Sequence, residues 1–342
     1  MLRRYLAPLL ICFAVLASCE GAFYDDEPAN DAVTVFETLW TRTNEVYPYF
    51  ELKSVNWDSA YRVFRPRVSN GMSSRALFRV CSDMMYLLRD GHVNIVAPFD
   101  RSRNWEWFLG YPANFDFNVI ERNYLDTARN YRITSSIRSG ILVRRGKRIG
   151  YLYCGAMSSG TPNGDIDNTL VDMIQQGATS VIFDVRDNGG GRADMAEIFA
   201  ARFATTTFSG GTIQYKTGPG KDNYGPRIPL TVNPAGVQFT KPVYVLTNRS
   251  VYSAANYFVQ LMSQLPSVRV LGDSTGGGGG LPSSYDLPNG WTFRVSASRS
   301  RLPNGTDVEL GIAPRTRVNI TNADRTLGKD TILEAALDSL DN

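Results

Sequence analysis

Histidine is almost missing: His92 is the single one in 342 residues. Any mechanism that needs an imidazole base must therefore use it. Cysteine is scarce as well, with Cys12, Cys19, Cys81 and Cys154 in neither a CxxC spacing nor the company of a histidine, which argues against a zinc site. Charge of one sign is also lacking, since 36 basic residues face 33 acidic ones for a net +3. That balance gives no electrostatic case for nucleic acid as a partner. No internal repeat is visible, no G-x-G-x-x-G spacing marks a dinucleotide loop, and no run beyond the first twenty residues is apolar enough to span a bilayer. What remains is ordinary globular composition, 43% hydrophobic and 20% charged, long enough for one large domain or two smaller ones.

The first residues read as an address rather than as fold. Met1-Leu-Arg-Arg-Tyr5 supplies a positive start, and an apolar run from Leu6 to Leu16 follows. Leu16-Ala-Ser-Cys19 resembles a bacterial lipoprotein lipobox, which implies that Cys19 is acylated and becomes the mature N-terminus. Simple secretory cleavage beside an incidental cysteine is the alternative. On the lipoprotein reading, residues 1–18 are a signal peptide and 19–30 an acidic tether, and the chain is expected in the bacterial cell envelope, held to the outer membrane by lipid. Cys81 and Cys154 then remain, either as one bridge or as two buried thiols.

Residues 31–98 carry helical stripes, with Val33, Phe36, Leu39 and Trp40 on one face and Leu77, Val80, Met84 and Leu88 on another. Gly91 stands where a helix C-cap is expected, and His92 follows it directly. Residues 99–148 form an aromatic-rich connection that includes Trp105, Tyr111, Phe115 and Phe117. Packing filler and a ligand-stacking surface are the two readings of it, filler being the commoner use of such residues. From residue 149 to 342 the texture is α/β, with strands at Ile149–Tyr153 and Ser180–Val185, then Gly189-Gly-Gly191 and a helix from about Ala193. The Gly- and Pro-rich stretch 209–236 is too long for a simple connection and reads as a functional loop or a β-ribbon.

The stretch around Ser253 is the most telling. Val243, Val245 and Leu246 make a buried strand, and Ala254, Ala255, Phe258, Leu261 and Met262 recur at helical spacing. Ser253 thus sits where a strand turns into a helix, next to free N–H groups and the positive end of the helix dipole. It is either an N-cap or a nucleophile. No Glu or Gln stands three residues later to complete a capping box. Gly189-Gly-Gly191 could converge backbone N–H groups on an anion, or be a tight turn and nothing more. His92 is either a structural histidine or the base for Ser253. Lys329 is the only lysine after Ser253, so a Ser-Lys pairing has little to draw on. Glu309 could orient the base or be a surface carboxylate.

Five blocks stand in order: Phe183-Asp-Val-Arg-Asp-Asn-Gly-Gly-Gly191, Val245 to Asn256, Leu271-Gly-Asp-Ser-Thr-Gly-Gly277, Leu287-Pro-Asn-Gly-Trp291 and Glu309-Leu-Gly-Ile-Ala-Pro314. Together they resemble the C-terminal processing (tail-specific) serine protease family, and Leu88-Arg-Asp-Gly-His-Val93 resembles the histidine block of its tricorn-core-like branch. The resemblance implies an α/β core of the ClpP/crotonase-like spiral ββα type, with an N-terminal helical domain carrying His92. It implies a serine endopeptidase acting on protein or peptide substrates without metal or cofactor. Ser253 maps to the nucleophile, His92 to the general base, Glu309 to the glutamate behind it, and Gly190 with Ala254 to the oxyanion hole. Three positions depart from the pattern. Gly278 stands at the lysine of the Ser-Lys branch, Gly91 replaces the serine before the histidine, and Asn256 stands where Glu is frequent. The family also contains non-proteolytic members, so a peptide or lipophilic-ligand binder is the alternative. Residues 99–148 are too few for a full PDZ domain.

Overall fold

The computed structural model describes residues 31–125, 131–158, 163–220 and 222–340. The signal peptide, the tether and Cys19 lie outside the described residues. Three helices open the fold, Ala32–Val46, Trp57–Phe64 and Ser74–Tyr86, and each starts at a side-chain cap. Asp31, Asn56 and Ser73 accept the backbone N–H groups of Thr34, Ser59 and Ala76. Their apolar faces meet around Phe36, Leu39, Leu77 and Met84. The third helix ends at Tyr86, earlier than its pattern suggested, and the left-handed position is taken by Arg89 at φ 44°. Gly91 is therefore not a C-cap. Its lack of a side chain has another cause, described below.

Strand β1 (Asn94–Ala97) and the short β2 (Asp100–Arg101) come next, then a helix at Phe117–Asn123. β3 (Arg132–Thr134) and β5 (Lys147–Cys154) each pair antiparallel with β4 (Ile137–Arg144) between them. The main sheet therefore starts well before residue 149, inside the stretch read as a connection. β6 (Ser180–Asp184), β9 (Val243–Thr247), β10 (Val268–Gly272) and β14 (Thr316–Arg317) continue it in parallel, reached by crossovers. The order across this sheet is β14-β10-β9-β6-β5-β4-β3. β6 and β9 are buried along their whole length, as central parallel strands covered on both faces must be. Helices Asn163–Gln175, Ala193–Ala201 and Ala254–Met262 cover one face, and Thr331–Ser339 packs on the other.

The stretch 209–236 is the β-ribbon rather than a plain loop. β7 (Phe208–Tyr215) pairs with β8 (Ile228–Val232), and β13 (Ser298–Arg301) joins β7. The remaining hairpin positions the site. β11 (Pro282–Asp286) and β12 (Thr292–Ser296) leave the core region and pair onto β1, Asn94 opposite Arg294 and Ile95 opposite Phe293. Trp291, Phe293 and Val295 complete the apolar cluster of the N-terminal helices. The residues read as an N-terminal helical domain thus share a core with residues 287–295. Cys81 and Cys154 are both buried free thiols, and burial raises them to about 12 and about 11. Among the described residues no helix is long and apolar enough to cross a membrane.

Candidate active site

β9 delivers the chain to a sharp turn. Ser253 has φ 57° and ψ −124°, a conformation that costs a β-carbon-bearing residue on the order of 1–3 kcal/mol. The turn is held on both sides. Tyr252 N–H donates to Asn188 O (3.0 Å), and Ser253 N–H donates to Gly277 O (2.9 Å). The Ser253 side chain makes no capping bond although the residue sits at the Ncap position. Its Oγ instead lies 2.9 Å from His92 Nε2, across 161 positions of sequence.

His92 is fixed by a turn of its own. Asp90 Oδ1 accepts the His92 backbone N–H at 2.8 Å, and β1 begins two residues later. The ring is nearly enclosed, with 4% of the residue exposed. Burial pulls its pKa down to about 4, against the upward pull of Asp90, so the imidazole is neutral at pH 7. Nε2 faces the serine, and Nδ1 lies 3.4 Å from Ser296 Oγ. Ser296 donates in turn to Asp90 Oδ2 at 2.9 Å. A proton on Nδ1 pointing at Ser296 and on to Asp90 leaves Nε2 as the acceptor for the serine hydroxyl.

Asp90 is fully buried. Burial pushes its carboxyl up, but Lys53, His92 and the bonds from His92 N–H and Ser296 together outweigh it and hold it below the usual range. Lys53 Nζ lies 3.7 Å from Asp90 Oδ2 and 2.5 Å from Glu309 Oε1. Glu309 makes no contact with His92. It accepts from Lys53 and, at Oε2, from Gly279 N–H at 2.8 Å, so it braces the glycine loop and the far end of the charge chain. Of the expected site residues, Glu309 is thus not in direct contact with the imidazole: Ser296 and Asp90 stand next to His92, and Glu309 reaches Asp90 through Lys53. Burial drives the Glu309 carboxyl well up, and the nearby charge of Asp90 adds to it against the downward pull of Lys53.

Gly190 and Ala254, the two expected oxyanion donors, differ in what their N–H groups meet. Gly190 N–H donates to Asn188 Oδ1 at 2.9 Å and is engaged, while Gly190 O accepts from Met157 N–H. The neighbouring Gly191 and Ala254 line the cavity at Ser253, and their N–H groups have no acceptor among the described residues. Gly190 still has a steric duty. A Cβ there, at φ 101°, would lie 2.7 Å from Ser253 Cβ and 2.9 Å from Ala254 N.

One side chain accounts for both glycine departures. Tyr252 lies beside His92 with ring centroids 5.0 Å apart and donates to Asp90 Oδ1 at 2.9 Å. A Cβ on Gly91 would come within 3.2 Å of the Tyr252 ring, and one on Gly278 within 2.5 Å. The tyrosine fills the space that a lysine at 278 would need. Asn256 is structural, accepting from Thr275 Oγ1 at 2.6 Å and donating to Val308 O at 3.2 Å. Arg186 of the Asp-Val-Arg block is also structural, its guanidinium buried between Asp184 and Asp330. Sequence reasoning missed Asp90, Ser296, Lys53 and Tyr252. Only Asp90 carried a local signal, as the Asp of an Asp-Gly-His turn. Trp105, read more readily as filler, is 49% exposed and lines the cleft at His92.

Comparison with known proteins gives the family and the fold. The model of peptidase family S41 matches residues 148–318, and that of the tricorn protease C1 domain matches residues 28–86. A carboxyl-terminal-processing protease from Synechocystis is 27% identical over 201 residues, 58% of this chain and 45% of its own length. The chain thus spans less than half of the curated relatives it matches. The mature CPAF–lactacystin complex shares the fold at 12% identity, with a TM-score of 0.68 over 90% of this chain and 97% of that one. The crystal structure of a Parabacteroides merdae protein described as a peptidase is 39% identical, with a TM-score of 0.84 over 91% of this chain and 97% of that one. Identity of that order over nearly the whole of both chains, with the family model covering half of this chain and the turn that carries Ser253, means that the chain belongs to peptidase family S41.

Proposed function

We propose that the protein is a serine endopeptidase in which Ser253 is the nucleophile and His92 the general base. The observation that carries the reading is the 2.9 Å contact between Ser253 Oγ and a buried, neutral His92 Nε2 at a strained strand-to-helix turn. Oγ attacks the scissile carbonyl carbon as its proton passes to Nε2. The resulting imidazolium is stabilised by Asp90, with Ser296 relaying the hydrogen bond from Nδ1. The developing oxyanion is held by the N–H groups of Ala254 and Gly191, each contributing on the order of 3 kcal/mol. Collapse of the intermediate sends the Nε2 proton to the leaving amine, and water then repeats the sequence on the acyl-enzyme. Asp90 and Ser296 orient the base. Lys53 and Glu309 hold Asp90 and the glycine loop in place.

The acyl-side pocket is the cavity of about 280 Å³ beyond Ala254, where Ile213, Leu230 and Tyr257 favour an apolar residue before the cleaved bond. Ser253→Ala is expected to lose both peptide cleavage and covalent labelling by a serine-directed phosphonate. Undiminished turnover in that variant would end the reading. A ligand-carrying role would call for a serine remote from the imidazole, and the contact at Ser253 disfavours it. The Leu16-Ala-Ser-Cys19 segment supports anchoring to the cell envelope through lipid on Cys19. Cys19→Ala should then move the protein from the membrane to the soluble fraction.

A further inference from the structure

The acyl-side cavity runs along the helix Ala254–Met262. Ala254, Tyr257 and Gln260 stand three apart on the face that lines it, and Gln260 lies about 10 Å of helix rise beyond Ser253. The walls suit the apolar stem of a side chain, but the far end is not apolar. Gln260 is 1% exposed. Its Nε2 donates to Gly210 O at 2.8 Å and to Arg301 O at 3.4 Å, which turns the nitrogen toward β7 and β13 and leaves Oε1 as the other end of the amide. No donor among the described residues reaches Oε1. Ser300, next to Arg301 on β13, also lines the cavity and is buried, and its Oγ has no partner among the described residues. A buried acceptor and a buried hydroxyl are thus left open in a pocket with apolar walls. The cavity also has one carboxylate, Glu197, on an exposed residue and tied to Tyr257 Oη at 2.8 Å. Its one guanidinium, Arg294, is shared with the cleft at His92. Opposite in sign, these two leave the pocket without net charge.

A buried amide oxygen without a donor is unfavourable, and the side chain that enters the pocket decides whether it stays so. An apolar side chain displaces water from the pocket and leaves Oε1 unpaired. A side chain with a donor at its tip gives Oε1 a direct hydrogen bond instead. Ser300 Oγ can donate to the same tip, because a hydroxyl both gives and accepts. The depth of the pocket calls for a long side chain, and its lack of net charge for a neutral one. Tyrosine and glutamine meet all three conditions. Resting on the proteolytic reading of Ser253 and His92, we infer that Gln260 Oε1 and Ser300 Oγ form a polar floor in the acyl-side pocket, which selects tyrosine or glutamine before the cleaved bond over an apolar residue of the same size. Carbonyls of two strands hold the Gln260 amide, so the acceptor is fixed before the substrate arrives.

The test uses fluorogenic peptides that differ only in the residue before the cleaved bond: Tyr, Phe, Gln or Met. Wild-type kcat/KM should be about tenfold higher for Tyr than for Phe, or for Gln than for Met, and the pair that discriminates names the preferred tip. Ratios of about one or less in both pairs would overturn the floor. A Lys peptide cleaved faster than the Gln peptide would overturn it too, since selection would then lie with Glu197. Gln260→Met removes Oε1 at nearly constant length and should bring the preferred ratio to about one. That change also takes the donor from Gly210 O, so Ser300→Ala serves as the milder second variant and should cut the ratio about threefold. A preference left intact by either variant, once circular dichroism shows it folded, would refute the assignment. Binding of the same peptides to Ser253→Ala, followed by fluorescence anisotropy, keeps the two readings apart. Where the wild type turns over none of the peptides, tighter binding of the donor-tipped ones sinks the peptidase and spares the pocket, and equal binding sinks the pocket as well.

Discussion

Asp90→Asn removes one negative charge behind the base and preserves the shape of the side chain. Asp90 Oδ1 lies 3.8 Å from His92 Nδ1. Opposite unit charges at that spacing attract by about 4 kcal/mol at an effective dielectric of about 20. Lys53, 3.7 Å from the same carboxylate, already neutralises part of that field. The imidazolium formed in the transition state should therefore lose roughly 2–3 kcal/mol, on the order of 100-fold in kcat, with little change in KM. The pH profile gives an independent reading. The base works only when neutral, so kcat/KM rises with pH through the His92 pKa, which burial has brought to about 4. Asp90 is the first influence opposing that burial, so its loss should move the acid limb lower still. The fold should survive, because Lys53 keeps Glu309 as a counter-charge, and Glu309 ionises more readily once Asp90 no longer repels it. Steady-state hydrolysis of a fluorogenic peptide from about pH 2.5 to 8, with circular dichroism as a control for folding, measures both effects. Wild-type kcat with an unmoved acid limb would refute the coupling and leave Ser296 alone to hold the ring.

Gly278→Lys restores the residue type of the Ser-Lys branch, yet it should not restore or raise activity. Its Cβ would meet the Tyr252 ring at 2.5 Å, at a backbone φ of 76°, and a stability loss of roughly 2 kcal/mol is expected in denaturant unfolding. Glu309→Gln tests the buried carboxyl by linkage. A carboxyl whose folded pKa is raised from 4.5 to about 8 holds its proton longer when folded, so its contribution is present at low pH and lost as pH rises through that window. The Tm of the wild type relative to Glu309→Gln should therefore fall between those pH values, and a constant difference would show that Glu309 is not protonated in the folded chain.

The alternation of helical and buried-strand patterns was enough to read the N-terminal helices, the parallel strands and the helix after Ser253, because each is written in local periodicity. Ser253, His92 and Ala254 were legible for the same local reason, as a strand-to-helix junction and a lone imidazole. Ser296 was not. It reaches Asp90 across 206 positions, and nothing in its neighbourhood in the chain marks it. Gly190 and Gly191 look alike in a triple glycine, and only the bond from Gly190 N–H to Asn188 tells which amide is spent. Gly91 and Gly278 looked like lost functional groups until Tyr252 was seen to fill the space between them.

The sequence by itself determined what could be done chemically: one imidazole, a serine where a buried strand turns into a helix, and glycines able to bare their amides. Tertiary structure alone decided which groups act together. The hairpin 282–296 pairs onto β1 and so brings Ser296 and Arg294 to the histidine loop, while Lys53 and Glu309 meet across 256 positions. Periodicity records which face of an element is buried, but charge and hydrogen-bond partners are chosen by contacts that only the folded backbone creates.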